Sequence, residues 1–491
     1  MKRDYFKLLT GQNKKDVFGF SPIDDSIDRI FKASQTRYKL RLLGKGEKEV
    51  WITEEERYVN FHILGAPGEG KSKFLEYEIR QDIDNGNGLC LLDPSDKGDT
   101  VKSVLDYCAS IGYEKVILID PSLSKEYGRI PCIAPLNPKS VDRSVDGVME
   151  ALEILFKADY AAMRRVRRYL SALLRVLARQ GLTLNETQYF SDYHLDVQQR
   201  QAILKGDRDS HTIRNLFRSE YKFDTHFSST VNILDVLWRE PLKSILGNKE
   251  GIDFLRAVGD GWVILVNLSS YAMTDEQAEL LGVIIISQII QAVDVLVNSR
   301  RNTWKGRFYL YIDEAGFFAT PQIKYILQKK RKSGLVMYLA HHDYLQFKGK
   351  EEVLSAIEGS ARIKLMFNTP GHDDRMRMIK ALGYGGNIPP SLASYANSDL
   401  PKQYAVIKKN KEAPVRIRIP NVEPVPQASK EYIDKILSQS FYKDVREYVP
   451  SRPQAENIKP AQSRTKNDRK ADSKPRLSNG KNNFDKWKDV S

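Results

Sequence analysis

Residues 65–72 read GAPGEGKS, a G-x-x-x-x-G-K-S spacing whose residue types suit a chain of phosphates. The run Gly65, Ala66, Pro67, Gly68, Glu69 and Gly70 is rich in glycine, so its backbone can curl and turn successive amides inward on an anion. Lys71 then reaches the β- and γ-phosphates, and the Ser72 hydroxyl ligates Mg²⁺. The apolar run Phe61–Leu64 precedes the loop as a strand, and a helix opens at Lys71 with its anion-favouring N-terminus. A ligand-free glycine turn is the bland alternative, and the strictness of the match in a strand–loop–helix setting argues against it. The expected ligands are ATP and Mg²⁺.

A second candidate lies far along the chain. Residues 308–314 read FYLYIDE, an apolar strand ending in two carboxylates. Nucleotide hydrolysis needs such a pair. Asp313 would hold Mg²⁺ through its water shell and Glu314 would polarise the attacking water. Alone, an apolar strand ending in Asp-Glu is common; its weight comes from the phosphate loop. Other chemistry is thin: the seven histidines show no H-E-x-x-H or comparable metal spacing, and there is no G-x-S-x-G nucleophile elbow.

The elements that position these residues alternate. Strands are expected at 61–64, 89–93, 116–120, 262–268, 308–312, 336–340 and 362–367, with helices at 71–84, 100–111, from 276 and at 322–332. Continuous apolar strands alternating with helices imply a mostly parallel sheet covered on both faces. From about 141 to 257 only helical periodicity appears. The expected organisation is an N-terminal segment (1–50), a first part of the nucleotide-binding domain (51–140), an all-helical insertion (141–257), the second part (258–425) and a basic, largely disordered tail (426–491). Weak signals in the first segment give a helix near 26–34 and a strand near 38–43.

Composition sets outer bounds. At 491 residues and 41% hydrophobic the chain is globular and holds more than one ordinary core. Three cysteines without a C-x-x-C give neither a zinc site nor a disulfide framework and fit a reducing cytoplasm. The start MKRDYFKLLTGQ lacks the apolar core of a signal peptide. The apolar stretch 281–297 is interrupted by Ser287, Gln288, Gln291 and Asp294 and reads as a buried core helix. The net charge of +14 permits a polyanionic partner, and residues 451–491 carry 11 basic against 5 acidic residues.

The helix at 164–179 (RRVRRYLSALLRVLAR) is the clearest nucleic-acid candidate. At ~100° per residue, Arg164, Arg168, Arg175 and Arg179 fall within a stripe of roughly 60°, opposite Val166, Leu170, Leu173, Leu174 and Leu177. Such a row can follow a phosphate backbone, and no base-reading signature accompanies it. The bland alternative is a solvated face on a core helix.

These pieces, in this order, resemble the HerA–FtsK superfamily of ring-shaped pumping ATPases, and especially the coupling proteins of conjugation and type IV secretion. The matching features are GAPGEGKS, the strand end Leu92-Asp93-Pro94 with Lys97-Gly98-Asp99, the step Asn137-Pro138 into a helical insertion, and the return strand at 261–268. The IDEA box and Arg331-Lys332-Ser333-Gly334 before the 336–340 strand complete them, across roughly residues 45–425. The resemblance implies a RecA-like α/β fold, a homo-hexameric ring that moves DNA, and a relaxase and a membrane secretion component as partners. It also implies an arginine at Arg331, seventeen positions after Glu314, that reaches a neighbour's γ-phosphate. His342 falls where the family usually has a γ-phosphate-sensing Gln; an imidazole can donate one hydrogen bond, and a core or surface histidine is the alternative. Membrane-bound coupling proteins begin with transmembrane helices, and this chain has none before Val59, so a cytoplasmic or peripherally docked motor is expected. A motor for DNA end processing or genome packaging and a nucleotide-switched adaptor remain the other readings.

Overall fold

Why the chain folds around one large sheet follows from its apolar runs. The computed structural model describes residues 41–46, 49–153, 160–298, 306–329, 334–369, 371–383 and 399–445. Its strands are β1 (Arg41–Gly46), β2 (Glu49–Ile52), β3 (Asn60–Leu64), β4 (Gly88–Asp93), β5 (Val116–Ile119), β6 (Arg129–Pro131), β7 (Val263–Asn267), β8 (Phe308–Ile312), β9 (Leu335–His341), β10 (Ala361–Met366), β11 (Tyr404–Lys409), β12 (Val415–Arg418) and β13 (Tyr442–Asp444). Among the described residues the sheet has eleven strands in the order β2-β1-β12-β11-β10-β3-β9-β8-β4-β7-β5. Strands from β10 to β5 pair in parallel, and β4, β5, β7, β8 and β9 are buried along their whole length. Burial on both faces is what unbroken Val/Ile/Leu runs demand. The mostly parallel α/β sheet expected from the sequence is present.

Two helices, α1 (Lys71–Asp84) and α2 (Asp99–Ser110), cover one face with Phe74, Leu75, Ile79, Val101 and Val104. The other face is covered by helix Asp275–Asn298, whose Leu281, Ile285 and Ile289 are buried. Among the described residues this helix alone is long and apolar enough to cross a membrane, yet it is mostly buried in the protein interior. Between β6 and β7 the described elements are helical. Leu170, Leu173, Leu174 and Leu177 of helix Tyr160–Gln180 join the same apolar cluster as Ile285 and Ile312.

Two segments depart from the sequence reading. Strands β11 and β12 form an antiparallel hairpin that continues the sheet through β1 and β2. Lys408, Lys409, Arg416 and Arg418 dilute their apolar signal, as expected for strands with one less-covered face. The tail expected to be disordered from 426 begins instead with helix Lys430–Leu437 and strand β13, which pairs with β6. Ile436 and Leu437 are buried and Tyr442 is held through its hydroxyl to the backbone of Leu118, so this stretch has its own apolar anchor. The expected helix near 26–34 and the basic stretch 451–491 lie outside the described residues.

A buried ionic cluster ties α1 to the sheet. Arg57 donates both terminal nitrogens to Asp82, at 2.7 and 2.6 Å, and one of them also to the Tyr311 hydroxyl at 2.6 Å. Its guanidinium lies 3.8 Å from the centre of the Tyr309 ring. Arg41 bridges Glu54 and Asp82, and the Tyr338 hydroxyl donates to Glu78 at 3.1 Å. The two arginines face three carboxylates, Glu54, Glu78 and Asp82. Burial pushes Asp82 up, but Arg41 and Arg57 pull it down to about 2. Burial instead dominates at Glu78 and raises it to about 7 against the same arginines.

These shifts set the pH dependence of folding. Glu78, raised above its ordinary 4.5, contributes stability that is present below that value and lost as pH rises through about 7. Asp82, lowered from 3.8, contributes stability above that value that is lost as pH falls towards about 2. The urea midpoint of the wild type is therefore expected to decline from about pH 4.5 to 7, and Glu78→Gln to flatten that decline. Equal slopes in the two proteins would contradict the assignment.

Candidate active site

The phosphate loop sits between β3 and α1, at the carboxyl ends of the parallel strands. Gly65 donates its amide to His341 O at 3.2 Å and Ala66 to Asn368 O at 2.8 Å, which fastens the loop to the ends of β9 and β10. A Cβ on Gly65 would fall 2.5 Å from the Phe367 Cβ, so only glycine fits there. Gly70 adopts φ 119°, a backbone that glycine reaches without strain, immediately before the first turn of α1. The opening amides of α1 have no carbonyl in a preceding turn to bond to, which suits them to an anion. Pro67 and Glu69 complete the curl, and Glu69 O accepts from the Gln403 amide at 3.2 Å.

Lys71 is buried and donates its ammonium to Gly65 O at 2.6 Å, Ala66 O at 3.1 Å and His342 Nδ1 at 2.6 Å. Burial lowers its pKa, opposed by Asp313 and Glu314. Ser72 donates its hydroxyl to Asp313 Oδ2 at 2.8 Å. The serine from the loop and the carboxylate from the end of β8 thus meet at one point, although 241 positions separate them. Two hard oxygens converging beside the loop fit Mg²⁺, which keeps several waters and takes few protein ligands. Burial and the neighbouring Glu314 raise the Asp313 carboxyl, and a cation there would reverse the shift.

Glu314 follows with φ 57°, a left-handed backbone that is uncommon outside glycine and swings its side chain off the strand axis. Burial raises its carboxyl, but hydrogen bonds from His342 and Gln346 bring it below the usual range. The adjacent carboxylates are therefore pushed in opposite directions, Asp313 up and Glu314 down, which separates their roles. His342 bridges the two halves of the site. Its Nδ1 accepts from Lys71, which leaves the proton on Nε2, and Nε2 donates to Glu314 Oε1. The Glu314 contact raises the imidazole pKa while burial and Lys71 oppose it.

The structure thus brings together Lys71, Ser72, Asp313, Glu314 and His342. Arg331 lies outside the described residues. The arginine stripe divides: Arg164 and Arg168 are exposed, whereas Arg175 pairs with Asp142 at 3.0 Å and Arg179 with Asp207 at 2.7 Å and with Asp209. Gln346 is a site residue that the sequence reading missed. It belongs to no motif, and only its place four residues after His342 relates it to the site.

Sheet order, loop and carboxylate pair define the class: an α/β P-loop NTPase fold of RecA-like type. Solved structures narrow the likeness. The unbound bacterial conjugative coupling protein TrwB superposes with a TM-score of 0.58 at 16% identity, over 80% of this chain and 91% of that chain. TrwB in complex with ADP and Mg²⁺ gives 0.56 at 16% identity, over 76% and 88%. VirB4 of Thermoanaerobacter pseudethanolicus gives 0.50 at 14% identity, over 78% and 96%. At such identities the likeness is one of fold, and that fold is the one the HerA–FtsK resemblance implied. No protein-family model matches the sequence, and no curated protein does.

Proposed function

We propose that this chain hydrolyses ATP with Mg²⁺ and uses the energy to move DNA, as a coupling-protein-like motor in conjugative transfer or type IV secretion. The observation that carries the reading is the meeting of Lys71 and Ser72 with Asp313 and Glu314 at the carboxyl ends of β3 and β8. Lys71 and the loop amides hold the phosphates, and Ser72 and Asp313 would hold the metal. Glu314 takes the proton of the attacking water as the water oxygen bonds to the γ-phosphorus and the bond from that phosphorus to the bridging oxygen breaks, releasing ADP. Arg331 offsets charge on the transferring phosphoryl from an adjacent subunit of a homo-hexamer, which makes hydrolysis depend on assembly. A relaxase and a membrane secretion component are the partners such a motor serves, from the cytoplasmic side.

DNA contact is assigned to the helix bearing Arg164 and Arg168, through phosphates and without base reading. Each of these arginines that contacts a phosphate contributes about 0.9 to the slope of log affinity against log salt. Arg164→Ala and Arg168→Ala are expected to lower that slope by about this amount, measured by fluorescence anisotropy on a DNA duplex. Arg175→Ala is expected to change it less, because Asp142 already holds that guanidinium. Unchanged slopes in the first two variants would remove this helix from the DNA path.

Displacement of a third strand annealed to duplex DNA tests movement itself. ATP-dependent release by the wild type, absent in Lys71→Ala, is the expected result. Hydrolysis without any release would overturn the motor reading and leave an ATPase of another kind.

A further inference from the structure

We infer that Gln346 is a positioning residue that aims the Glu314 carboxylate at the attacking water. The inference rests on the hydrolytic role of Glu314 proposed above. Both oxygens of that carboxylate are held: Oε1 accepts from His342 Nε2, and Oε2 accepts from the Gln346 amide nitrogen. The orientation of the Gln346 amide is set independently, because its oxygen accepts from the His342 backbone N–H at 3.3 Å. Its nitrogen is thereby turned onto Glu314.

Gln346 is itself held in place. It lies in the short helical turn Leu345–Phe347, its backbone N–H donates to Asp343 Oδ1 at 3.0 Å, and the next residue, Phe347, is buried. Gly316, two residues after Glu314, makes room for it: a Cβ there would fall 2.5 Å from the Gln346 Cβ and 2.8 Å from its carbonyl oxygen. The end of β8 and the turn after β9 are therefore fitted to each other around this one contact.

A glutamate side chain has three rotatable bonds, so a base at a strand end needs something to fix it. His342 alone fixes one oxygen and leaves the carboxylate free to pivot about that contact. The second donor removes the pivot. Gln346 is uncharged and donates to the oxygen that His342 does not hold, so it fixes the orientation of the base without adding a second charged partner. Misplacing a catalytic group by about 1 Å costs on the order of 10²-fold in rate.

Steady-state ATP hydrolysis by the full chain tests the assignment with Gln346→Met, which keeps the length of the side chain and loses the donor. A fall in kcat of about 10²-fold with KM for ATP changed by less than about twofold is the expected result. Gly316→Ala, which displaces the same side chain, is expected to lower kcat in the same way. The decisive readout is the double variant Gln346→Met/Glu314→Gln. A residue acting through Glu314 adds nothing once that base is gone, whereas a residue acting on fold or binding multiplies its effect. An unchanged kcat in Gln346→Met, or a full multiplicative loss in the double variant, would overturn the inference. Undiminished hydrolysis in Glu314→Gln alone would instead sink the base assignment on which the inference stands.

Discussion

Glu314→Gln is expected to lower kcat for ATP hydrolysis by roughly 10²–10⁴-fold while ATP affinity stays close to that of the wild type. The substitution keeps the volume and the oxygen that accepts from His342, so the loop and Lys71 retain their partners. What it removes is the group proposed to take the proton from water. The amide it introduces also meets the Gln346 amide, two donors where there had been a donor and an acceptor. Phosphate release and calorimetric ATP binding, measured on one preparation, separate the two effects. Lys71→Ala should behave differently and lose nucleotide affinity, because the ammonium lies inside the loop and not at the water. Equal loss of affinity in both variants would mean that Glu314 serves binding and is not the base.

The largest effect on stability is expected far from the loop, at Arg57. This side chain is fully buried, and Arg57→Met leaves Asp82 with Arg41 as its remaining cationic partner and removes partners of Tyr311 and Tyr338. Removing one member of a buried ion pair typically costs about 3–5 kcal/mol when it leaves a buried charge unpaired; Arg41 still pairs with Asp82, so a loss at the lower end of that range is expected. The cluster joins the chain before β3, helix α1 through Glu78 and Asp82, and strands β8 and β9 through Tyr311 and Tyr338. It therefore holds the register between the helix that carries Lys71 and the strand that carries Asp313. A drop of the urea midpoint matching that loss, together with weaker nucleotide binding, is the expected result. A midpoint within error of the wild type would mean that Asp82 finds compensation elsewhere.

Much of this site is legible in the sequence because its signals are local. The phosphate loop, the all-apolar strands and the Asp313-Glu314 pair each occupy a few adjacent residues, and the strand–loop–helix context follows from hydropathy alone. Gln346 escapes such reading, since its relation to Glu314 spans 32 positions and depends on how β8 and β9 lie side by side. Arg41 and Arg57 escape it for another reason: charged residues read as surface, and only the meeting of Glu54, Glu78 and Asp82 makes their burial tolerable. The arginine stripe was readable in its helical phase, and its apolar face is buried as expected. That Arg179 is engaged by Asp207 and Asp209 comes from a different helix junction and leaves no trace in the stripe itself. The β11–β12 hairpin and the helix Lys430–Leu437 are short and rich in lysine and arginine, so tertiary pairing, and not their own pattern, makes them regular structure.

Steady-state ATP hydrolysis with and without double-stranded DNA, followed over a range of protein concentrations, tests the central claim most directly. A DNA motor that assembles to complete its site predicts strong stimulation by DNA, a steep rise of specific activity with concentration, and loss of both in Lys71→Ala and Glu314→Gln. Hydrolysis indifferent to DNA and linear in protein concentration would contradict it, and would point to a nucleotide-switched adaptor built on the same fold.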